Sequence, residues 1–270
     1  MEYGINAKVF AGVLGLEKTA ELVAAAGFTK LDYTPPLLSD DWETVMKNDV
    51  AVFAAHGLTV HQTHAPFNRY GRYGSEHKKY MDRCAEATAY TGAAFMVIHG
   101  DEFDFENMTF TPEAALAYNH DYFLPYVEAA AKSGYKTAFE TVFEDSKSRR
   151  RFTSDAAELK ALITSFDSES AVCCWDFGHG NVSFKKEAPA VIRDFASLIQ
   201  CTHLHDNKGQ DTHNLPMTGN IDWNETMAAF REIGFDGVLS IEYGQSNLPA
   251  DLLARYIELT GMVTKYLGEL

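Results

Sequence analysis

Six short apolar runs in this chain each deliver, at or just after their carboxyl end, a side chain able to hold a divalent metal or carry a proton. They supply His64 in HQTHAPFN, His99 in FMVIHGDEF, Glu140 in KTAFETVFE, Asp176 with His179 in VCCWDFGHGN, His203 in CTHLHDN and Glu242 in LSIEYG. A lone histidine or glutamate in such a place ordinarily marks only where the chain emerges into water. Six in succession mean more if the runs are neighbouring parallel strands, because their ends then surround one opening. Carboxylates converging there would raise one another's pKa unless a cation compensated, so a bound divalent metal is the expected resolution. The donors are imidazole nitrogen and carboxylate oxygen without sulfur, which suits Mn, Zn, Co or Mg and leaves the choice open.

Three further groups could serve the same opening. Asp211 and His213 lie two apart in HLHDNKGQDTHNLPMTGNIDW, and positions i and i+2 of extended backbone share a face. Both could add metal or substrate contacts, the plain alternative being a surface loop that ends at a helix-capping Asp222. The run KSRRRF, with Lys147, Arg149, Arg150 and Arg151, follows the Glu140 segment and could bind a substrate phosphate or simply balance an acidic surface. Tyr3, Phe67, Trp175, Trp223 and Tyr243 could wall a sugar ring, although core packing accounts for any one of them equally well.

The elements that must position these residues alternate from one end to the other. Strand-like runs span Tyr3 to Asn6, Lys30 to Tyr33, Thr59 to His64, Phe95 to His99, Lys136 to Thr141, Ala171 to Asp176, Cys201 to Asp206 and Val238 to Glu242. Each is short and mostly apolar, as a strand buried on both faces should be. Between them lie segments such as LEKTAELVAAAGF, TPEAALAYNHDYFLPYVEAAAKSG and DWNETMAAFREIGF, whose apolar residues recur at helical spacing. Gly27, Gly57, Gly134 and Gly234 fall where helix ends need a cap, and Thr153 or Ser154 and Asp222 where helices begin. Eight strand–helix units predict an α/β protein, a (β/α)8 barrel forming a single domain over residues 1–270. An open doubly wound sheet is the runner-up, weakened because no Gly-rich phosphate loop follows the first strand.

Composition sets the surroundings. A formal charge of −15 and a pI near 5.0 disfavour nucleic acid and anionic membranes as partners. Four cysteines (Cys84, Cys173, Cys174 and Cys201) show no CxxC spacing, which suggests neither a thiolate metal site nor a disulfide framework. The chain begins MEYGINAKVF without a basic leader and no apolar stretch approaches a membrane span, so a cytoplasmic protein is expected.

With HAPFN, the glutamate of the fifth run, DFGHGN, HLHDN, DTHNLPMTGNIDW and SIEYG in this order, nearly the whole chain resembles the xylose isomerase-like TIM barrel superfamily. That group includes sugar phosphate isomerases/epimerases, ketohexose 3-epimerases, inosose dehydratase-like proteins and endonuclease IV. The resemblance to its epimerase branch implies that Glu140, Asp176, His203 and Glu242 bind the metal and that His179 contacts substrate oxygen. It also implies that Glu140 and Glu242 act as an acid/base pair on a small-molecule sugar or sugar phosphate. The resemblance to endonuclease IV implies instead three zinc ions held by His64, His99, Glu140, Asp176, His179, His203, Asp211, His213 and Glu242.

The charge and the short loops expected between strand and helix argue against the nuclease. Cys201 where a histidine is common, His205 at an often basic position and PMTGN in place of a glycine-acidic-glycine turn depart from the sugar-acting pattern; they bear on substrate contacts, among them His179, His205 and Trp175, and not on the metal. The expected activity is a metal-dependent sugar isomerase or epimerase. The alternatives are an endonuclease IV-like zinc phosphodiesterase on abasic DNA and a non-catalytic sugar-binding or partner subunit. A monomer or a homodimer is expected.

Overall fold

A computed structural model describes residues 1–67, 74–144, 150–244 and 248–270. Eight strands run in parallel: β1 (Glu2–Ile5), β2 (Lys30–Tyr33), β3 (Thr59–His64), β4 (Phe95–His99), β5 (Lys136–Glu140), β6 (Ala171–Asp176), β7 (Ile199–His203) and β8 (Val238–Ile241). From β1 to β7 each pairs with its neighbours in sequence, and β8 pairs with β1. Between β7 and β8 the ring is drawn together by one parallel bridge, Leu204 to Ile241, where Leu204 donates to the Ser240 carbonyl at 2.6 Å and Glu242 to the Leu204 carbonyl at 3.0 Å. The eight-unit reading therefore holds: the fold is a single-domain (β/α)8 barrel.

Helices pack around the ring, and their ends follow local chemistry. Gly27, Gly57, Gly134 and Gly234 all take positive φ, between 72° and 92°, a conformation that side chains with a Cβ rarely tolerate. Asp222 caps the helix Trp223–Glu232 by accepting from the Glu225 amide. One expected cap is different. The helix Ala156–Ser165 starts neither at Thr153 nor at Ser154 but at Asp155, whose carboxylate accepts from the Ala157 and Glu158 amides. A carboxylate also complements the positive end of the helix dipole.

Strand alternation sorts the core into two layers. Phe95, Val97, Ala138, Val172, Cys174 and Cys201 form a small cluster of their own inside the barrel. Their outward neighbours, including Met96, Ile98, Phe139, Cys173 and Trp175, join the larger core beneath the helices. Two residues beyond Val97, Ala138, Cys174 and Cys201 come His99, Glu140, Asp176 and His203, so the polar side chains are the top layer of the barrel interior.

Register shifts modulate this pattern. Asp32 pairs with Gln62 rather than His61, which makes His61 an extra residue in β3. The connections at the carboxyl end are also longer than expected, residues 204–222 separating His203 from the next helix and residues 100–111 following His99. No described helix is long and apolar enough to cross a membrane.

Candidate metal centre

Glu140 stands at the middle of the barrel mouth, its side chain 1% exposed. Its two oxygens face different partners. Oε2 lies 3.2 Å from Nε2 of His64 and 3.2 Å from Nε2 of His99. Oε1 lies 3.2 Å from Nδ1 of His203 and 3.2 Å from Nδ1 of His179. From His203 Nδ1 the nearest oxygens of Glu242 and Asp176 are 3.6 and 4.0 Å away.

These groups fit a cation. Glu140, Asp176, His203 and Glu242 each offer one atom, and the four atoms lie within 4.8 Å of one another. Glu140 Oε1, Glu242 Oε2 and His203 Nδ1 are buried without a hydrogen-bond partner. Three carboxylates and an imidazole lone pair facing one point, out of water, require a positive charge between them.

The titration behaviour follows from the same crowding. Burial alone would push the Glu140 carboxyl up, but the nearby His203 and His99 rings, with His179 close by, hold it well below the usual carboxylate range. Burial would lower His203, yet Glu242, Glu140 and Asp32 raise it well above an ordinary histidine. His179 is raised in the same way by Asp176, Asp211 and Glu140 against its burial. Protons on these rings thus balance the carboxylates wherever no cation does, and a divalent ion would displace them.

A second grouping lies beside the first and comprises His179, His205, Asp211 and His213. His179 Nδ1 donates to the Thr141 carbonyl at 2.9 Å, which turns Nε2 toward Asp211 Oδ2 at 3.8 Å. His213 Nε2 lies 3.2 Å from Asp211 Oδ1. His205 approaches Asp176 at 3.0 Å through Nε2 and stacks on His213 with ring centroids 3.9 Å apart. Asp211 and His213, marked by their spacing of two, do therefore converge on the mouth. A third grouping shares residues with the first: His64, Glu140 and His203.

Other expectations are corrected. Trp175, expected at a substrate, is 1% exposed and packs against Phe184 and Phe195 beneath the helices. The reason is parity: Asp176 faces the barrel interior, so its neighbour on β6 faces out. Trp223 is tied to the core through its Nε1 bond to Asp206 and its stacking on Phe177. Tyr243 hydrogen-bonds Thr260 and packs on Phe10, and Tyr3 packs against the helix Ala250–Glu269 at Gly268. Of the five aromatics, Phe67 reaches the mouth, stacking on His99 at 4.5 Å.

In the basic run, Arg150 is engaged by Glu144 and Glu158, and Arg151 by Asp101 and His99. Lys147 and Arg149 lie outside the described residues. One residue escaped the sequence reading altogether. Asp32 of β2 lies 2.8 Å from His203 Nε2 and 3.4 Å from Gln62 Nε2. Its signal was a charged residue inside the apolar run KLDY, one position short of the strand end.

A cavity of about 280 Å³ opens onto this cluster, with Asp32, His64, Phe67 and Glu242 among its lining residues and Thr34, Pro35 and Leu37 on its outer wall. Its lining mixes polar and apolar side chains, as sites for small polar ligands do.

Residues 20–259 match the family model described as xylose isomerase-like TIM barrel. A stretch of 86 residues is 34% identical to an uncharacterized protein of Methanocaldococcus jannaschii, spanning 31% of this chain and 29% of that protein. Among solved structures, a D-tagatose 3-epimerase-like protein superposes with a TM-score of 0.76 at 21% identity, over 100% of this chain and 99% of that one. An L-ribulose 3-epimerase gives 0.75 at 19% identity over 99% and 94% of the two chains. D-psicose 3-epimerase from Clostridium cellulolyticum H10 gives 0.74 at 16% identity over 99% of both. At these identities the likeness is one of fold.

Proposed function

The chain belongs to the xylose isomerase-like TIM barrel family, and on that premise we propose that it is a metal-dependent isomerase or epimerase of a sugar or sugar phosphate, acting by proton transfer next to a carbonyl. The observation that carries this reading is the convergence of two carboxylates on one ring nitrogen, Glu140 at 3.2 Å and Glu242 at 3.6 Å from His203 Nδ1. Glu140 and Glu242 come from β5 and from the end of β8, so they approach a molecule in the mouth from different directions. One removes the proton beside the carbonyl and the other returns it. A divalent cation held by Glu140, Asp176, His203 and Glu242 would polarise that carbonyl.

Substrate positioning falls to the residues around this set. Glu242 and Phe67 line the cavity, and His179 with His205 closes the side toward Asp211. Solvent exchange tests the reading. Protein loaded with Mn, Zn, Co or Mg is incubated with ketoses and ketose phosphates in deuterated water, and deuterium entering a carbon next to the carbonyl of one of them is the expected result. A panel in which no compound takes up label contradicts it.

A zinc phosphodiesterase of the endonuclease IV kind is the second reading, favoured by the ligand groupings that flank the first on both sides. Metal content separates the two. About three zinc ions per chain would support the nuclease, and a single ion per chain the isomerase.

A further inference from the structure

Arg151 is buried at the mouth, 7% exposed. Among the described residues its guanidinium reaches the Asp101 carboxylate through Nε, the Phe143 carbonyl at 3.2 Å through Nη1, and the Nδ1 atom of His99 at 3.1 Å through Nη2. A guanidinium carries donors and no acceptor. His99 Nδ1 must therefore accept, and the single hydrogen of the neutral ring sits on Nε2, the atom 3.2 Å from Glu140 Oε2. A nitrogen that carries a hydrogen has no lone pair to give a cation.

His64 meets the same oxygen with the opposite arrangement. Its Nδ1 lies 2.8 Å from the Ala65 carbonyl, which can only accept. Its Nε2 hydrogen-bonds Glu140 Oε2 at 3.2 Å, and because a carboxylate oxygen only accepts, that nitrogen carries a hydrogen too until a cation displaces it, after which the ring keeps its hydrogen on Nδ1 and has its lone pair on Nε2. Two histidines at equal distance from one carboxylate oxygen thus differ in kind. His64 can ligate, and His99 can only donate.

We infer that Arg151 fixes His99 as a hydrogen-bond donor to Glu140, which removes His99 from the metal-ligand set and makes Arg151 and His99 positioning residues for that carboxylate. A bond to Oε2 holds the carboxylate plane and leaves Oε1 directed at His203, Asp176 and Glu242. Phe67, stacked on the His99 ring within 6° of parallel, restrains the ring's rotation. A cation seated between His64 and Glu140 is then denied His99 as a further ligand. This inference rests on the reading of Glu140 as a metal ligand, but the state of the His99 ring can be measured whether or not a substrate is found.

The test uses His99→Gln, because a glutamine amide can donate to Glu140 and accept from Arg151 yet ligates divalent metals poorly. Wild-type and H99Q proteins are loaded with Zn²⁺ alone and dialysed, and bound zinc per chain is measured. Equal stoichiometry is expected, with H99A losing about 10-fold or more in zinc affinity because the support of Glu140 is gone. A loss of zinc from H99Q overturns the inference. Nitrogen-15 spectra of histidine-labelled, zinc-loaded protein supply the second readout, free of any folding defect in H99A. His99 is expected to carry its hydrogen on Nε2 in the wild type and to lose that preference in Arg151→Met. A zinc-bound or unprotonated Nε2 in the wild type overturns the inference. Failure to find an isomerised sugar would count against the proposed activity and leave both readouts intact.

Discussion

Asp32 Oδ2 lies 2.8 Å from His203 Nε2 with both side chains buried, an ion pair at the ring nitrogen that does not face Glu140 and Glu242. A carboxylate beside Nε2 favours the hydrogen there and leaves the Nδ1 lone pair directed at Glu140, Asp176 and Glu242. Outer carboxylates that hold a ligating histidine in this way typically contribute 10–100-fold to metal affinity, on the order of 1–3 kcal/mol. Asp32→Ala is therefore expected to weaken zinc binding by about 10-fold or more, measured by competition with a chelator. Asp32→Asn, which keeps an acceptor oxygen, should lose less.

Glu140→Gln and Glu242→Gln separate the acid/base pair from the cation. Loss of a positioned proton-transfer group costs roughly 10²–10⁴-fold in rate, so either variant should reduce deuterium exchange into the substrate by at least about 10²-fold. Retention of near wild-type exchange in either variant, with metal still bound, would remove that residue from the proton-transfer pair.

Metal-free protein should lose stability as pH rises above neutrality. Burial opposes the charge on His213, but Asp211 and Glu242 raise its pKa to about 9, against about 6.5 in an unfolded chain. A group whose folded pKa is raised stabilises fully below its unfolded value, and that contribution is lost as pH rises through the folded one. His179 and His203 are raised in the same sense. The Tm of chelator-treated protein should accordingly fall between about pH 6 and about pH 9.5. Zinc-loaded protein should fall less over that window, because the cation replaces the protons. Equal slopes with and without zinc would contradict the coupling.

Gly178 is a packing requirement of the site. A Cβ there would lie 1.9 Å from Cε1 of His205, the ring that approaches Asp176. Gly178→Ala must push His205 aside, and overpacking of this kind costs about 1–3 kcal/mol. Urea denaturation should show that loss. Unchanged stability would mean that His205 has room to move.

Trp175 and Phe67 should behave oppositely. Trp175 fills the layer between barrel and helices, and truncation of a buried tryptophan to alanine costs about 3–5 kcal/mol. Trp175→Ala should unfold more readily while its folded fraction keeps the wild-type KM. Phe67→Ala, at the cavity wall, should change KM with little effect on stability. A KM shift confined to the tryptophan variant would restore Trp175 to the substrate site.

Much of the fold was legible because strand and helix periods are local properties of a chain. Eight apolar runs with helical segments between them leave few architectures open, and parity along each strand places Glu140, Asp176 and His203 on one inner layer with Ala138, Cys174 and Cys201. The same parity rule would have set Trp175 on the outside, had it been applied to the residue beside Asp176. Asp32 was hidden for a different reason. It sits within its strand, and nothing near it in sequence indicates His203, 171 positions on (203 − 32).

The sequence by itself determined the number and order of the strand–helix units and the identities of the side chains at the barrel mouth. The tertiary structure alone decided which of those side chains meet: that Asp32 crosses to His203, that Arg151 turns inward to His99 instead of outward to a phosphate, and that His64 and His99 both bring Nε2 to one oxygen of Glu140 while their Nδ1 atoms face an acceptor in one ring and a donor in the other. Local periodicity fixes which face a residue occupies, whereas a hydrogen bond between distant segments depends on how the closed ring sets strand against strand.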